Sequence, residues 1–190
     1  NLVKTRQFGE RLVIGNPVTQ VERYSDWAVD ELIYLDISDD SSMRQQRQDI
    51  EVPGAADNIL DLVTLVSRPC FMPLTFGGCI RSLEEVRAVL EYGADRVTLN
   101  TAAVRTPSLV RESSREFGAQ CIVVVIDYRH TEEGACVFID HGRERTKLTP
   151  MQWAKHVEQE GAGEIILQCI DNDGMYNGYD LDTLARVVAA

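Results

Sequence analysis

Val29-Asp30-Glu31-Leu32-Ile33-Tyr34-Leu35-Asp36-Ile37 returns later in the chain as Ala162-Gly163-Glu164-Ile165-Ile166-Leu167-Gln168-Cys169-Ile170-Asp171. The equivalent residues Glu31 and Glu164 stand 133 positions apart. At roughly 30 residues per βα unit, that offset is about four units. A repeat after four units is what an eightfold barrel made of two half-barrels would show.

The sequence around both copies has the same rhythm. Glu31–Ile37 reads as a strand. A polar connection, Ser38–Asn58 with Pro53-Gly54 inside it, follows and is long against the ~2 to 6 residues usual for a βα loop. Ile59–Ser67 is amphipathic and reads as a helix, and Cys70–Phe76 as a strand that ends in Gly77-Gly78. Ser82-Leu83-Glu84-Glu85 is a capping box, so a helix starts there and runs to Tyr92, with Gly93 as its stop. Arg96–Leu99 is a short strand. Thr106-Pro107 predicts a capped helix running to Phe117. Cys121–Tyr128 is the most apolar strand. Gly134 and Gly142 bracket an alternating stretch, Cys136–Asp140, that reads as a hairpin insertion. Thr149-Pro150 opens another helix that Gly161 stops. Glu164–Ile170 is a strand and Leu181–Val188 a helix. Strands apolar on both faces, alternating with helices, predict an α/β fold with a covered parallel sheet. No G-x-G-x-x-G opens a helix, so a dinucleotide-binding sheet has no direct support.

Nineteen Lys+Arg against 30 Asp+Glu leave the 190-residue chain at −11, with a pI near 4.7. That field argues against nucleic acid or an anionic membrane as partner. No apolar run approaches the ~18 to 20 residues of a membrane span. The opening Asn1-Leu2-Val3-Lys4-Thr5 lacks the features of a signal peptide and an initiating Met, so Asn1 is expected not to be the true start. Five cysteines (70, 79, 121, 136, 169) form no C-x-x-C pair and read as reduced thiols of a cytoplasmic protein. The histidines (130, 141, 156) have no metal-ligand spacing. Neither a metal nor a cofactor is expected.

The carboxylates sort by position. Asp36, Asp127, Asp171 and Asp173 fall at or just past the C-terminal ends of strands, the rim where a (β/α) barrel assembles its chemistry. Asp at a strand end also caps turns, which is the plainer reading of any one of them. Asp127 follows the most apolar strand, a setting that desolvates a carboxyl and raises its pKa toward acid–base use. Gly77-Gly78, between a strand and a capped helix, suits a phosphate, although such pairs also simply turn the chain. Asn100-Thr101 adds side-chain donors at the end of the next strand. Glu31, Arg96 and Glu164 each begin a strand, either as solvated charges or as a ring closing the opposite mouth.

These segments together resemble the cyclase subunit of imidazole glycerol phosphate synthase, the HisF family of histidine biosynthesis. The resemblance rests on Leu2-Val3-Lys4, Val29 to Ile37, Gly77-Gly78, Gly93-Ala94-Asp95-Arg96-Val97, Leu99-Asn100-Thr101-Ala102-Ala103-Val104, Phe117-Gly118-Ala119-Gln120 to Asp127, Gly161-Ala162-Gly163-Glu164-Ile165, and Asp171-Asn172-Asp173-Gly174 to Gly178-Tyr179-Asp180. It implies a (β/α)8 TIM barrel, with residues 1–190 as one partial barrel domain. Strands two to six would be present, and strand one and units seven and eight absent, because such a barrel needs ~250 residues.

The resemblance also implies chemistry. Ammonia from a glutaminase partner attacks a bis-phosphorylated ribulosyl-formimino aminoimidazole carboxamide ribotide. Imidazole glycerol phosphate and aminoimidazole carboxamide ribotide are formed. Asp127 matches one of two proton-transferring aspartates. Lys4 matches a substrate-contacting lysine on a mobile loop. Asp36, Gly77, Gly78, Cys79, Asn100, Thr101, Asp171, Asp173 and Gly174 would bind substrate and phosphate. Glu31, Arg96 and Glu164 match three of four charged residues that gate ammonia entry. Some positions depart from this pattern. Cys79 replaces a Gly, and Cys resists φ > 0. Gln168-Cys169 replaces Thr-Ser. Leu2 to Thr5 and Cys70 to Leu74 look more like a paralogous branch, in which a non-catalytic barrel delivers ammonia to a sugar amidotransferase in surface-polysaccharide synthesis. A weaker third reading is a sugar-phosphate isomerase on the same half-barrel plan.

Overall fold

The computed structural model describes residues 2–38 and 59–190; the long connection after Ser38 lies outside them. The chain divides into two compact units, one within residues 1–4 and 12–98, the other within residues 5–11 and 99–190.

A hairpin of β1 (Leu2–Arg6) and β2 (Glu10–Gly15) opens the chain. Its arms count with the first unit and its tip, residues 5–11, with the second. Helix α1 (Pro17–Asp26) follows, capped by the Asn16 side chain, which accepts from Val18 N at 2.8 Å. The strand–helix rhythm therefore starts before residue 30. Asn16-Pro17, a cap followed by Pro at the first helical position, is the signal that marks it.

In the first unit β3 (Leu32–Leu35), β4 (Leu74–Gly77) and β5 (Arg96–Leu99) pair in parallel in that order. Helices α2 (Ile59–Ser67) and α3 (Leu83–Glu91) connect the strands, and α1 packs on α2. Val21, Val66 and Leu74 are buried together, with Leu32, Tyr34, Leu62 and Cys70 against them. Tyr34 stacks on Phe76, its register partner, at 5.4 Å. Such a pair contributes ~0.5–1.5 kcal/mol beyond area burial. The capping box at Ser82 forms as the sequence predicts, and Gly93 takes φ +116°. Cys70 to Met72 are not strand: β4 begins only at Leu74, after Pro73, which has no N–H to donate to a ladder. Burial on both faces holds for β4, whereas Ile33 and Leu35 of β3 are exposed.

In the second unit β6 (Ile122–Thr131) pairs in parallel with β9 (Glu164–Cys169) and antiparallel with β7 (Gly134–Ile139). β7 pairs in turn with β8 (Glu144–Arg145). The hairpin insertion is therefore real, and it starts from the C-terminal extension of β6. Helices α4 (Thr101–Arg105), α5 (Ser108–Phe117), α6 (Pro150–Glu160) and α7 (Leu181–Val188) complete the unit. α5 and α6 pack on β6. Thr149 caps α6 with Gln152 as the reciprocal partner, and Gly161 ends it in the left-handed region. The predicted Thr106 cap does not form: α5 starts without a side-chain cap bond, because Thr106 closes the preceding turn α4 through its own N–H to Ala102 O at 2.8 Å.

Both units are α/β with parallel strands. No helix among the described residues is long and apolar enough to cross a membrane.

Candidate active site

Asp127 lies inside β6, as its sixth residue, and not at a strand end as the sequence predicts, because β6 runs on to Thr131 to pair with β7; Ile122 to Tyr128 are all buried. Its side chain is 7% exposed. Asn100, at the junction of β5 and α4, donates from Nδ2 to Asp127 Oδ2 at 2.7 Å. Burial penalises the ionised form and pushes the carboxyl up to about 7; the Asn100 bond pulls the other way, and the nearby Asp173 charge pushes it further up. This leaves the Asp127 proton exchangeable near neutral pH, which a general acid–base group requires.

Asn100 is committed to this task. It precedes α4 without making the side-chain cap bond usual for Asn at that position. Thr101 donates to Asn100 Oδ1 at 3.4 Å and accepts from Asp140 N at 2.9 Å, which ties the pair to the end of β7. If the Asn100 bond restrains the pKa of Asp127, then Asn100→Ala moves the acid limb of a pH–rate profile to higher pH. An unmoved limb would show that the bond carries no charge stabilisation.

Asp171 and Asp173 follow β9 and serve the backbone. Asp171 Oδ2 accepts from His130 N at 2.8 Å, and Arg129 lies 3.8 Å from Oδ1. Asp173 Oδ2 accepts from Phe8 N at 3.2 Å, while its carbonyl accepts from Gln7 N at 2.9 Å. The hairpin tip thus docks on this loop. Gly174 permits it: its φ is +69°, and a Cβ there would lie 2.2 Å from Thr5 O.

The first unit holds the glycine pair. Gly77 ends β4, and a Cβ on it would lie 1.6 Å from Thr98 Oγ1. Gly78 has φ +94°, and a Cβ on it would lie 1.9 Å from Asp36 O. Asp36 N donates to Gly77 O at 2.7 Å, so these two strand ends are in close backbone contact. The Asp36 carboxylate accepts from Ser38 N at 3.0 Å and so caps its own turn. Cys79 adopts φ +59° despite its Cβ and is exposed. The amides just ahead of α3 are occupied from within, since Glu85 Oε2 accepts from Arg81 N and Ser82 N. The Gly77–Cys79 backbone, with its left-handed residues at 78 and 79, is the part of this turn shaped to receive an anion.

Also in the first unit, Arg96 and Glu31 form an ion pair at 3.0 Å, each side chain about one-third exposed. The buried Thr75 donates to the same Glu31 oxygen at 2.9 Å. Glu164 opens β9 in the second unit and is exposed, as is Lys4 on β1 in the first.

The model of the family described as histidine biosynthesis protein matches residues 1–190. The chain belongs to that family. Relatives agree along nearly its whole length. It is 41% identical over 186 residues to the imidazole glycerol phosphate synthase subunit HisF of Natranaerobius thermophilus, covering 98% of this chain and 69% of that protein. Identity is 40% over 186 residues with the HisF subunit of an Exiguobacterium species, with 98% and 68% covered. It is 40% over 200 residues with that of Methanocaldococcus jannaschii, with 95% and 69% covered. The apolar run before Asp127 was the sequence signal for its burial. Nothing in the sequence revealed the Asn100–Asp127 bond, which joins a residue just past β5 to one on β6, 27 positions apart.

Proposed function

We propose that the chain carries the cyclase chemistry of imidazole glycerol phosphate synthase, a lyase of histidine biosynthesis, with Asp127 as its acid–base group. The observation that carries the reading is the buried Asp127 carboxyl, held by Asn100 and shifted up to about 7. Ammonia attacks the bis-phosphorylated ribulosyl-formimino substrate. Asp127, poised between its two protonation states, moves protons as the imidazole ring closes and the carboxamide ribotide leaves. Gly77, Gly78 and Cys79 supply backbone donors to phosphate, and Asn100 and Thr101 supply side-chain donors. Lys4, Asp36, Asp171, Asp173 and Gly174 serve the substrate loops. The βα units belong to a single (β/α)8-barrel domain in the cytoplasm.

A glutaminase partner supplies the ammonia, and Glu31, Arg96 and Glu164 gate its entry. The Arg96–Glu31 pair supports this role, because a paired charge at a strand start can hold a passage shut and open it by rotating. In the enzyme assembled with its glutaminase, Arg96→Ala lowers the efficiency with which glutamine hydrolysis is coupled to product, and turnover on added ammonium salt stays near the parent's. Equal losses with both nitrogen sources would remove Arg96 from the gate.

The test of the whole reading is turnover of the bis-phosphorylated substrate with ammonium as the nitrogen source, in the full-length enzyme. Product formation supports the cyclase. Binding of the glutaminase without turnover supports the alternative, a non-catalytic ammonia-delivering barrel for a sugar amidotransferase.

A further inference from the structure

Side chains alternate along a strand, so Tyr128 and His130 share the face of β6 opposite Asp127. In the parallel ladder Tyr128 pairs with Cys169 of β9, which brings the Cys169 thiol to that second face. Asp180, at the N-terminus of α7, reaches the same place: its Oδ2 lies 2.6 Å from His130 Nε2 and accepts from the Tyr128 hydroxyl at 2.9 Å. Imidazole, thiol and carboxylate ligand atoms all lie within 4.8 Å of one another, a cluster of three metal-ligand types among the described residues. We propose that His130, Cys169 and Asp180 form a binding site for a divalent transition-metal ion of the zinc class, separate from the Asp127 site.

The donor set fits such an ion. Sulfur, nitrogen and oxygen donors suit zinc or cobalt and not magnesium or calcium, which take oxygen. With metal–ligand bonds of about 2.0–2.3 Å, tetrahedral donors stand roughly 3.3–3.7 Å apart. Side-chain rotation that opens the 2.6 Å His130–Asp180 contact reaches that spacing, and His130, about half exposed, can make it. Asp180 is already oriented. Its Oδ1 accepts from Thr183 N at 3.1 Å as the α7 cap, which leaves Oδ2 facing the cluster. The Tyr128 hydroxyl on that Oδ2 is the kind of outer hydrogen bond that fixes a ligating carboxylate. A thiolate and a carboxylate balance the dication, and binding releases the thiol proton to solvent. The ion would bridge the β6–β7 hairpin, the end of β9 and the start of α7. Neither the histidine nor the cysteine spacing announces the site, because its ligands come from three elements up to 50 residues apart.

The test is titration of the chain, kept reduced with a phosphine, with Co²⁺ followed by Zn²⁺. The expected result is one Co²⁺ per chain, with visible ligand-field bands and a near-ultraviolet thiolate-to-cobalt band, both displaced by Zn²⁺. Cys169→Ser loses the thiolate band. His130→Ala, at an exposed position where folding is not at stake, weakens binding by about tenfold or more, and Tyr128→Phe weakens it by about tenfold through the outer shell. Asp127→Asn keeps the spectrum, which separates this site from the proposed active site. No cobalt bands, or bands of unchanged strength and affinity in His130→Ala, would overturn the proposal. If Cys169→Ser does not fold, His130→Ala decides.

Discussion

In the full enzyme, Asp127→Asn lowers ammonia-dependent turnover by about 10²- to 10⁴-fold with little change in KM, the loss typical for removal of a positioned acid–base group. The amide keeps the shape and can still accept the Asn100 hydrogen bond, so binding surfaces survive while the exchangeable proton is lost. Folding stability should move the other way. The folded protein holds the Asp127 proton up to about pH 7, whereas the ordinary value for an Asp carboxyl is 3.8. Folding therefore takes up a proton between those limits. The Asp127 contribution to stability is present below about pH 4, falls as pH rises toward 7, and is level above it. The amide carries no such dependence. Thermal midpoints of the variant and parent should match near pH 4, with the variant progressively ahead toward pH 7–8. An Asp127→Asn variant that is less active but more stable is the signature of a carboxylate kept buried for chemistry and not for structure. A variant with parental turnover would remove Asp127 from the mechanism. A variant that melts lower at every pH would show that the carboxylate is structural.

Gly78→Ala unfolds the first unit far more easily than an alanine at an open glycine does. Two costs combine. A left-handed φ of +94° costs an L-residue about 1–2 kcal/mol. The added Cβ would lie 1.9 Å from the Asp36 carbonyl oxygen, a backbone atom that cannot rotate away. Overpacking of this kind adds typically about 1–3 kcal/mol, because two strand ends that already share the Asp36–Gly77 hydrogen bond must separate. Gly134→Ala is the control: φ is +109° there, but no atom lies within 4 Å of its Cβ position, so only the conformational cost applies. Denaturant midpoints compared at constant m measure the difference. Equal midpoints for the two variants would show that the β3 and β4 ends are free to part, and the proposed phosphate turn would lose its rigidity.

Much of the architecture could be read directly from residue order, wherever a local rule determines it. The Ser82 capping box, the Thr149-Pro150 helix start, the glycine stops at 93 and 161, and the β-branched run before Asp127 each act within a few residues. Helix α7 and strand β5 match their predicted bounds for the same reason. Local rules failed where two competed. At Thr106 the end of one helix overlapped the start of the next, and at Cys70–Met72 a following proline outweighed the apolar pattern. Cys79 shows the opposite case, a residue poorly suited to the left-handed region that nonetheless adopts it, at φ +59°.

The amino-acid order by itself determined the alternation of strands and helices, the carboxylates that follow β3 and β9, and the family. Periodicity and capping are short-range, and family motifs are read along the chain. Only the tertiary structure decided which carboxyl is buried, that Asn100 is hydrogen-bonded to it, that Asp171 and Asp173 anchor backbone, and that His130, Cys169 and Asp180 meet. Those properties depend on strand register and burial, which bring together side chains that no sequence spacing relates.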